Sequence, residues 1–364
     1  MKVQCGRDTF LGCIQMVQNI VSTKTTLPIL SNVLIEAEKD SIALTTTDLE
    51  VGIKCRFPAK VSQEGHTTLP AKRLSNIMRE LPSQQVSLDA TDNNITSIKC
   101  GASFFKIMGM GKDEFPKLPH FADTASFKID QKVFKDIIKK TAFAISHDET
   151  RYVLNGISLV VKDGKILAVA TDGRRLALIE KEQEIPSSVK VSAIIPAKAI
   201  LELSRILKDE GSMRISFAAN QVAFDMDESM LVSRLIEGAF PNYQQVIPSK
   251  INERVSVARE EFLSAVKRVS VLVSERLNSV KMCFAKDILT ISINTPDVGE
   301  AREEVPIKYD GKELTVAFNP VYLLDVLKAL DDESVFVELI DSASPGIIKT
   351  DENYVYVIMP MRLT

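Results

Sequence analysis

The sequence lacks several features that mark common functional classes. It contains no tryptophan and only three histidines and five cysteines among 364 residues. The histidines (His66, His120 and His147) are too dispersed to form a metal-binding triad, and the cysteines do not have the spacing of metal ligands. We therefore expect no metal and no other cofactor. Scattered cysteines, odd in number, are typical of reduced thiols, so we expect a cytoplasmic protein.

Long apolar runs and catalytic signatures are also absent from the sequence. No segment is apolar enough to cross a membrane, and Met1-Lys2-Val3 leads into a strand pattern rather than a signal peptide. There is no Walker loop, no Gly-x-Gly-x-x-Gly and no Gly-x-Ser-x-Gly. Thr171-Asp172 resembles a catalytic pair, but Thr47-Asp48 repeats it at an equivalent position, which favours a turn device. We therefore predict no catalytic residues, no enzymatic activity and no membrane association.

One amphipathic stretch occurs three times along the chain. Residues 69–81 combine Pro70, suited to a first helical turn, with apolar residues at the spacing of one helix face. The pattern recurs at Pro196 and Pro320, so the successive prolines are 126 and 124 residues apart. Two further sets of markers keep nearly the same offset: Phe10, Phe134 and Phe262, and Thr47, Thr171 and Thr295.

Several markers in one register indicate a chain of three similar domains. We predict their boundaries at 1–124, 125–249 and 250–364. Each part has the pattern of a strand, a helix, several alternating strands, the proline helix and more strands. Two helices and about eight strands make an α+β domain with both helices on one face of antiparallel sheets. Because the order of a helix followed by strands occurs twice in each domain, an inner two-fold repeat is plausible.

The charge of the chain is unevenly distributed. Its net charge is −3, yet the six predicted helices together carry +7, which leaves −10 for the remainder. These helices span 7–24, 70–82, 131–146, 196–208, 258–276 and 320–332, with the densest basic patch at Lys132, Lys135, Lys139 and Lys140. Basic helix faces are either solvated surfaces or a surface for a polyanion held without sequence readout. The last helix is net acidic, so we expect the third domain to contribute least to binding of a polyanion through that helix.

The C-terminal segment 354–364 is apolar, although chain ends are normally polar and loose. Alternating valines explain part of it as a final strand. Met359, Pro360, Met361 and Leu363 continue beyond that strand, and methionine is frequent at surfaces that accept several partners. The segment therefore indicates a peptide groove lined by this tail.

Five stretches together carry a resemblance to a known family. They are 26–32 (TLPILSN), 151–156 (RYVLNG), 170–177 (ATDGRRLA), 240–243 (FPNY) and 359–363 (MPMRL). With these motifs the chain resembles, from end to end, the bacterial sliding clamp family, the beta subunit of DNA polymerase III. The resemblance implies three DNA-clamp domains per chain and a head-to-tail homodimer that forms a ring around double-stranded DNA, without sequence specificity. Helices would line the hole and sheets would form the outer wall.

The resemblance also implies a processivity factor that is not itself catalytic. Its partners would be the DNA polymerase III alpha subunit, the clamp loader, and other polymerases and repair proteins, all bound through short linear peptides. DNA contacts would come from Lys24, Arg73, His147, Arg151, Tyr152 and Lys198. A peptide pocket between the second and third domains would use Leu154, Thr171, Gly173, Arg174, Arg175, Leu176, Pro241, Val246, Val357, Ile358, Met359, Pro360, Met361, Arg362 and Leu363. The dimer interface would pair the strand around Phe105 and Ile107 with the first helix of the third domain near Val271 and Leu272.

Three positions depart from the family pattern. Gln245 stands where a basic residue is expected, Arg174 where a histidine is common, and Thr364 extends past the usual terminal leucine. Each bears on peptide preference and not on clamp function. Two other hypotheses stay open from the residues alone: a monomeric peptide-binding adaptor without a DNA role, and an enzyme that uses the Thr-Asp pairs. The basic helices disfavour the former, and the missing catalytic set disfavours the latter.

Overall fold

The fold is described from a computed structural model that covers residues 1–21, 26–119, 121, 125–274, 278–296 and 298–362. The predicted DNA contact Lys24, the predicted pocket residue Leu363 and the terminal Thr364 lie outside these ranges. Within them, no helix is long and apolar enough to cross a membrane. No group of three or more His, Cys, Asp or Glu side chains in the same ranges is placed to hold a metal ion.

The described residues contain six α-helices, as many as were predicted. They are α1 (Arg7–Gln18), α2 (Ala71–Glu80), α3 (Gln131–Thr141), α4 (Ala197–Ile206), α5 (Arg259–Val269) and α6 (Pro320–Ala329). Each begins within one residue of the prediction and ends earlier than predicted. After α3 and α5 the chain continues as short 3₁₀ turns, at Ala142–Ala144 and Ser270–Leu272.

The repeated proline does not have the predicted position in all three copies. Pro70 and Pro196 are the last residues of strands, and the helix begins one residue later. Pro70 pairs with Asn32 of the neighbouring strand, which keeps it extended. Only Pro320 lies in the first helical turn, where the Asn319 side chain accepts the backbone N–H of Val321 at 2.9 Å.

The strands fall into three similar series among the described residues. The first series is β1 (Lys2–Gly6), β2 (Asn32–Glu38), β3 (Ser41–Thr47), β4 (Val51–Pro58), β5 (Lys60–Gln63), β6 (Gly65–Pro70), β7 (Gln85–Ala90), β8 (Ile95–Cys100) and β9 (Ser103–Met108). The second is β10 (Ala125–Asp130), β11 (Gly156–Lys162), β12 (Lys165–Thr171), β13 (Arg175–Glu182), β14 (Val191–Pro196), β15 (Ser212–Phe217), β16 (Gln221–Asp225) and β17 (Ser229–Arg234). The third is β18 (Glu253–Ala258), β19 (Val280–Ala285), β20 (Ile288–Thr295), β21 (Gly299–Lys308), β22 (Leu314–Phe318), β23 (Ser334–Leu339), β24 (Gly346–Lys349) and β25 (Tyr354–Ile358).

The order of elements repeats three times and also repeats within each series. Each series runs strand, helix, further strands, helix and three strands, and β5 is an insertion in the first. Within a series, strands of the first half pair with strands of the second half: β1 pairs with β7 and β2 with β6. The same pairing joins β10 to β15 and β11 to β14, and β18 to β23 and β19 to β22. The element order therefore agrees with the predicted inner two-fold repeat.

The chain divides into two compact units. The first comprises Met1–Val133 and Lys198–Leu235, and it holds the sheet β5-β1-β7-β8-β9 and the sheet β10-β15-β16-β17-β4-β3-β2-β6. The second comprises Phe134–Ala197 and Ile236–Thr364, with the sheet β14-β11-β12-β13-β25-β24-β23-β18-β21-β20-β19-β22. The strand partners are antiparallel throughout the described ladders.

The repeat markers are core residues of the first helix in each series. Phe10, Phe134 and Phe262 are at most 1% exposed. One helical turn further on, Ile14 is also fully buried. Burial of one such side chain contributes about 2–3 kcal/mol to folding. The common offset therefore reflects the same packing position of the helix on its sheet.

The two Thr-Asp pairs are turn devices. Thr171 Oγ1 donates to the carbonyl oxygen of Arg175 at 2.6 Å, and Asp172 Oδ1 accepts the N–H of Arg175 at 3.0 Å. Thr47 and Asp48 bond to Val51 in the same way. Their side chains replace the missing backbone partners of a tight turn between two strands. The turn interpretation is therefore confirmed.

Candidate functional site

The predicted pocket is built where β13 pairs with β25. Leu176 lies opposite Val357 and Arg175 opposite Ile358 in this antiparallel ladder. The motif at 170–177 and the C-terminal strand are therefore neighbours, although about half of the chain separates them in sequence. All the described residues of the predicted pocket lie in the second compact unit.

An apolar cluster forms the floor of this site. Val169, Leu176 and Val357 are buried to 2% exposure or less. Partly buried apolar side chains pack around them: Leu167, Leu178, Phe240, Tyr243, Ile247 and Val355. The rings of Phe240 and Tyr243 contact edge to face, with their centroids 6.4 Å apart. Adjacent Pro241 and Val246 are exposed, so the cluster has an apolar rim toward solvent.

The turn after β12 directs two arginines in different directions. Gly173 has a φ of +85°, and an added Cβ would meet Arg151 Nη1 at 2.7 Å, so the turn requires glycine for two reasons. Arg174 follows it on the surface, whereas the side chain of Arg175 is only 10% exposed. Opposite orientation of adjacent side chains is the ordinary consequence of the strand geometry that begins here.

Arg175 is held by a dense set of partners. Its guanidinium bonds to Asp325 Oδ2 at 2.6 Å and Asp172 Oδ2 at 3.1 Å, and Nη2 donates to the carbonyl oxygen of Phe143 at 2.5 Å. It also lies over the Tyr322 ring, 4.4 Å from the centroid. Burial alone would lower the pKa of this guanidinium, but the carboxylates of Asp325 and Asp172 raise it. Arg175 therefore stays protonated.

Tyr322 connects this arginine to the surface. Its carbonyl oxygen accepts the phenolic O–H of buried Tyr356 at 3.0 Å. On the exposed side a hydrogen bond with Tyr322 raises the pKa of Arg174. One half-buried ring therefore contacts both arginines of the turn and lies beside the C-terminal strand.

The chain end continues past β25 in an ordered path. The backbone N–H of Met359 donates to the carbonyl oxygen of Arg174 at 3.0 Å, and that of Met361 donates to Ala317 at 2.8 Å. Met359 is 44% exposed, and Pro360 is half-buried. The tail is thus fixed by backbone hydrogen bonds while it presents a methionine side chain to solvent.

The loop after α3 carries three of the predicted DNA contacts beside this site. His147, Arg151 and Tyr152 are exposed. Asp148 caps the short helix Glu149–Leu154 and bonds Arg151 Nε at 3.2 Å, and hydrogen bonds from Thr150 and Arg151 lower the pKa of its carboxyl. Leu154 at the end of this helix is buried.

Three family models match consecutive parts of the chain. The N-terminal domain of the DNA polymerase III beta subunit matches residues 1–119, its central domain matches 128–242, and its C-terminal domain matches 244–362. The chain belongs to the DNA polymerase III beta-subunit family. The resemblance drawn from the motifs and the predicted fold class, three α+β clamp domains, are thereby confirmed. This family is the non-catalytic sliding-clamp subunit of the polymerase, which also confirms the expectation that the chain is not an enzyme.

Individual relatives match this chain along its whole length. The beta sliding clamp of Chlamydia muridarum is 36% identical over 363 residues, covering 100% of this chain and 99% of the relative. That of Pseudomonas aeruginosa is 34% identical over 361 residues, with 98% of each covered. The solved structure of the DNA polymerase sliding clamp from Bacillus subtilis matches with a TM-score of 0.97 at 32% identity, covering 100% of both chains.

The other predicted DNA contacts of this family member lie in the first compact unit. Arg73 is exposed on α2 and Lys198 is exposed on α4. Lys198 makes an ion pair with Asp48, so part of its charge is already used within the protein. Arg73 and Lys198 are thus accessible on helices, as predicted.

The basic patch on α3 is less available to a ligand than its sequence indicates. Lys139 pairs with Asp331 at 2.6 Å, and Lys140 is buried and pairs with Asp136 and Glu352 at 3.2 and 2.9 Å. The Lys139 ammonium lowers the pKa of Asp331. Asp331, which follows the end of α6, therefore has a structural role, because it neutralises a lysine of α3.

The pairing around Glu352 predicts a pH dependence of stability. Hydrogen bonds from Lys181 and Lys140 lower the pKa of Glu352 below its usual 4.5. The ion pairs therefore contribute fully above that value, and their contribution is lost as the pH falls through the lowered pKa. In Glu352→Gln, we expect about 0.5 kcal/mol less stability at pH 7 and a flatter decline below pH 5. Chemical unfolding at several pH values measures both quantities.

Asp351→Asn at the exposed neighbouring position is the matched control for this measurement. It is expected to keep the wild-type stability and the wild-type pH profile. A Glu352→Gln variant that declines with pH as steeply as the wild type would contradict the assignment.

The predicted dimer residues lie on two exposed edges, with one exception. β9 is the end strand of its sheet, and Phe105 is 36% exposed on it. Ile107 on the same strand is only 5% exposed, because its side chain points into the core of the first unit, so it cannot offer a side-chain contact. Val271 is 78% exposed and Leu272 is half-buried after α5.

Several residues of these sites were missed by sequence reasoning. Tyr322 and Asp325 lie on α6, about 150 residues from the arginines that they contact, so no local pattern links them. Phe240 and Tyr243 belong to a motif that carried the resemblance, and their aromatic character was the available signal. On the dimer edge, Phe104 and Met108 are 56% and 78% exposed and were not named either.

Proposed function

We propose that this chain acts as a DNA sliding clamp, in which two copies close head to tail into a ring around duplex DNA. The observation that carries the proposal is the match of three consecutive family models to residues 1–119, 128–242 and 244–362. Domain boundaries near 124/125 and 249/250 are part of the same proposal. A ring holds DNA by topology, so it needs only weak phosphate contacts and can slide. We infer a cytoplasmic protein, because replication of bacterial DNA takes place there.

Charge complementarity supports the proposed dimer. Beside Phe104 and Phe105, the edge of β9 exposes Lys106. On the side that faces β18, β21 pairs only at Ile307 and Lys308. The first half of β21 therefore has an open edge on that side. Glu300 and Glu304 are exposed along that half, and Arg302 between them pairs with Glu304 at 2.6 Å, so that the half is net acidic. A basic, aromatic edge on one copy therefore suits an acidic edge on the other, and a heterologous contact of this kind closes into a ring when the rotation allows.

This arrangement predicts the effect of a charge reversal on dimerisation. In Lys106→Glu we expect the dimer dissociation constant to rise by about tenfold or more, because like charges then face each other. Sedimentation across a concentration series measures this constant. Addition of Glu300→Lys to the same chain should restore much of the affinity.

Lys60→Glu is the matched control, since Lys60 is exposed on β5 at the opposite edge of the same sheet. It should leave the dimer unchanged. Equal weakening by the two lysine variants would point to a general charge effect and against the proposed edge.

For DNA contact, we propose Arg73 and Lys198 on the helices, His147, Arg151 and Tyr152 on the loop, and Lys24. Exposure of the five described side chains supports this assignment. No base-reading element accompanies them, so contact would be to phosphates and independent of sequence.

For protein partners, we propose a peptide pocket on the apolar cluster around Leu176 and Val357. Buried floor residues, the aromatic rim of Phe240 and Tyr243, and the exposed Met359 suit apolar anchors of a short linear peptide. The proposed partners are the polymerase alpha subunit, the clamp loader, and other polymerases and repair proteins. Arg174 and Gln245 differ from the family pattern and would tune peptide preference.

Primer extension tests the proposed function as a whole. The replicative polymerase and clamp loader of the same organism copy a singly primed long circular template, with and without this chain, under single-encounter conditions. We expect products at least about tenfold longer with the chain present. Products of equal length in both reactions would overturn the proposal.

A further inference from the structure

Two cysteines face each other in the first unit. Cys13 lies on α1 and Cys55 on the central strand β4, which are 42 residues apart in sequence. The Cys55 thiol donates to the sulfur of Cys13, with the two Sγ atoms 2.7 Å apart. With no room for another atom between them, the two sulfurs are direct neighbours, as formation of a disulfide requires.

The two thiols differ in accessibility. Cys55 is only 2% exposed, whereas Cys13 is half-buried on α1. A small oxidant can therefore reach Cys13, while Cys55 is protected behind it.

The surroundings also make Cys13 the more reactive thiol. The hydrogen bond from Cys55 lowers the pKa of Cys13 against the opposing effect of burial, and the same bond raises the pKa of Cys55. The charges facing the pair are those of Lys208 and Glu228, which lie 3.7 Å apart and largely cancel. A third thiol, Cys5, is buried, and this raises its pKa to about 12, so it is a poor competitor.

We propose that Cys13 and Cys55 are a redox site of this protein, in which Cys13 is oxidised by a peroxide and Cys55 resolves it as a reversible disulfide. The Cys13 thiolate attacks one oxygen of hydrogen peroxide, the O–O bond breaks, and the departing hydroxide takes a proton to become water. The Cys55 sulfur then attacks the sulfenic sulfur, the S–O bond breaks, and its proton leaves with the second water. Two thiols are oxidised by two electrons and one peroxide is reduced to two waters.

Oxidation is expected to stabilise the first unit without remodelling it. The bond would join α1 to β4, which pairs with both β3 and β17, and so would restrict the unfolded chain. We expect the melting temperature to rise on the order of 5 °C. Because the sulfurs already touch, the dimer should be unchanged.

The full-length chain treated with dilute hydrogen peroxide tests the proposal. After alkylation of the remaining thiols, mass spectrometry should find three alkylated cysteines and a peptide pair joined through Cys13 and Cys55, reversed by dithiothreitol. Cys13 should react at least about tenfold faster than Cys283, a half-buried thiol on β19 that serves as the internal control. Melting curves of the reduced and oxidised wild type measure the stabilisation without any substitution.

Two variants sharpen the result. Cys55→Ser removes the resolving thiol, so Cys13 should proceed to the sulfinic acid, which dithiothreitol does not reverse. Cys283→Ser should still form the disulfide. Five alkylatable thiols after treatment of the wild type, a linkage that involves Cys5 or Cys283 instead, or a disulfide that forms only in unfolded chain would each overturn the proposal.

Discussion

A chain that ends at Ile358 is expected to lose affinity for partner peptides by about 100-fold or more. The truncation removes residues 359–364, and with them the exposed side chain of Met359 and the half-buried Pro360 and Met361 that follow the strand. Loss of several central apolar anchors typically costs a peptide site more than 2 kcal/mol. Because β25 itself ends at Ile358, its pairing with β13 is kept.

Fluorescence anisotropy with a labelled peptide from the polymerase alpha subunit of the same organism measures this affinity. Sedimentation should show an intact dimer, since the removed segment is not part of either proposed edge. Ile251→Ala, which shortens an exposed side chain outside the apolar cluster, is the control and should bind the peptide like the wild type. Unchanged peptide affinity in the truncated chain would refute the pocket assignment.

Replacement of Arg175 by methionine is expected to destabilise the second unit by about 3–5 kcal/mol. The side chain is 10% exposed and its loss leaves the carboxylates of Asp325 and Asp172 without their common partner. Phe143 and Tyr322 would also lose the cation that lies against their rings. Thermal and chemical unfolding measure the change in stability. We expect the second unit to unfold before the first in this variant.

Arg174→Met is the matched control, because it removes an equal charge at the adjacent but exposed position. We expect a change of at most about 0.5 kcal/mol in stability, as is usual for surface substitutions. The peptide affinity of Arg174→Met should nevertheless change, since Arg174 lies at the rim of the proposed pocket. Similar loss of stability in both variants would contradict the burial-based explanation.

Much of the fold could be predicted from periodicity. Helical spacing of apolar residues gave all six helix starts to within one residue, and alternation gave two helices and about eight strands per series. The common offset of Phe10, Phe134 and Phe262 worked because one packing position is repeated in each series. The ends of α3 and α5 were predicted too late, because the 3₁₀ turns Ala142–Ala144 and Ser270–Leu272 continue the apolar spacing after the α-helix stops.

The electrostatic part of the sites could not be predicted from the sequence. The lysines of α3 form one basic patch in the sequence, yet Lys139 pairs with Asp331, 192 residues away, and Lys140 pairs with Glu352, 212 residues away. Such pairs depend on which strands become neighbours, and charge counting along the chain contains no information on that. The resemblance placed Ile107 on the dimer interface, whereas the strand pleat turns its side chain inward.

The most direct test of the proposed ring compares closed circular DNA with the same DNA after linearisation. The chain is loaded by the clamp loader onto labelled circles, free protein is removed, and retention is followed before and after cutting with a restriction enzyme at one site. We expect stable retention on the circle and rapid loss once ends are present, because only a topological link depends on the ends. Equal rates of loss from circular and linear DNA would contradict the ring.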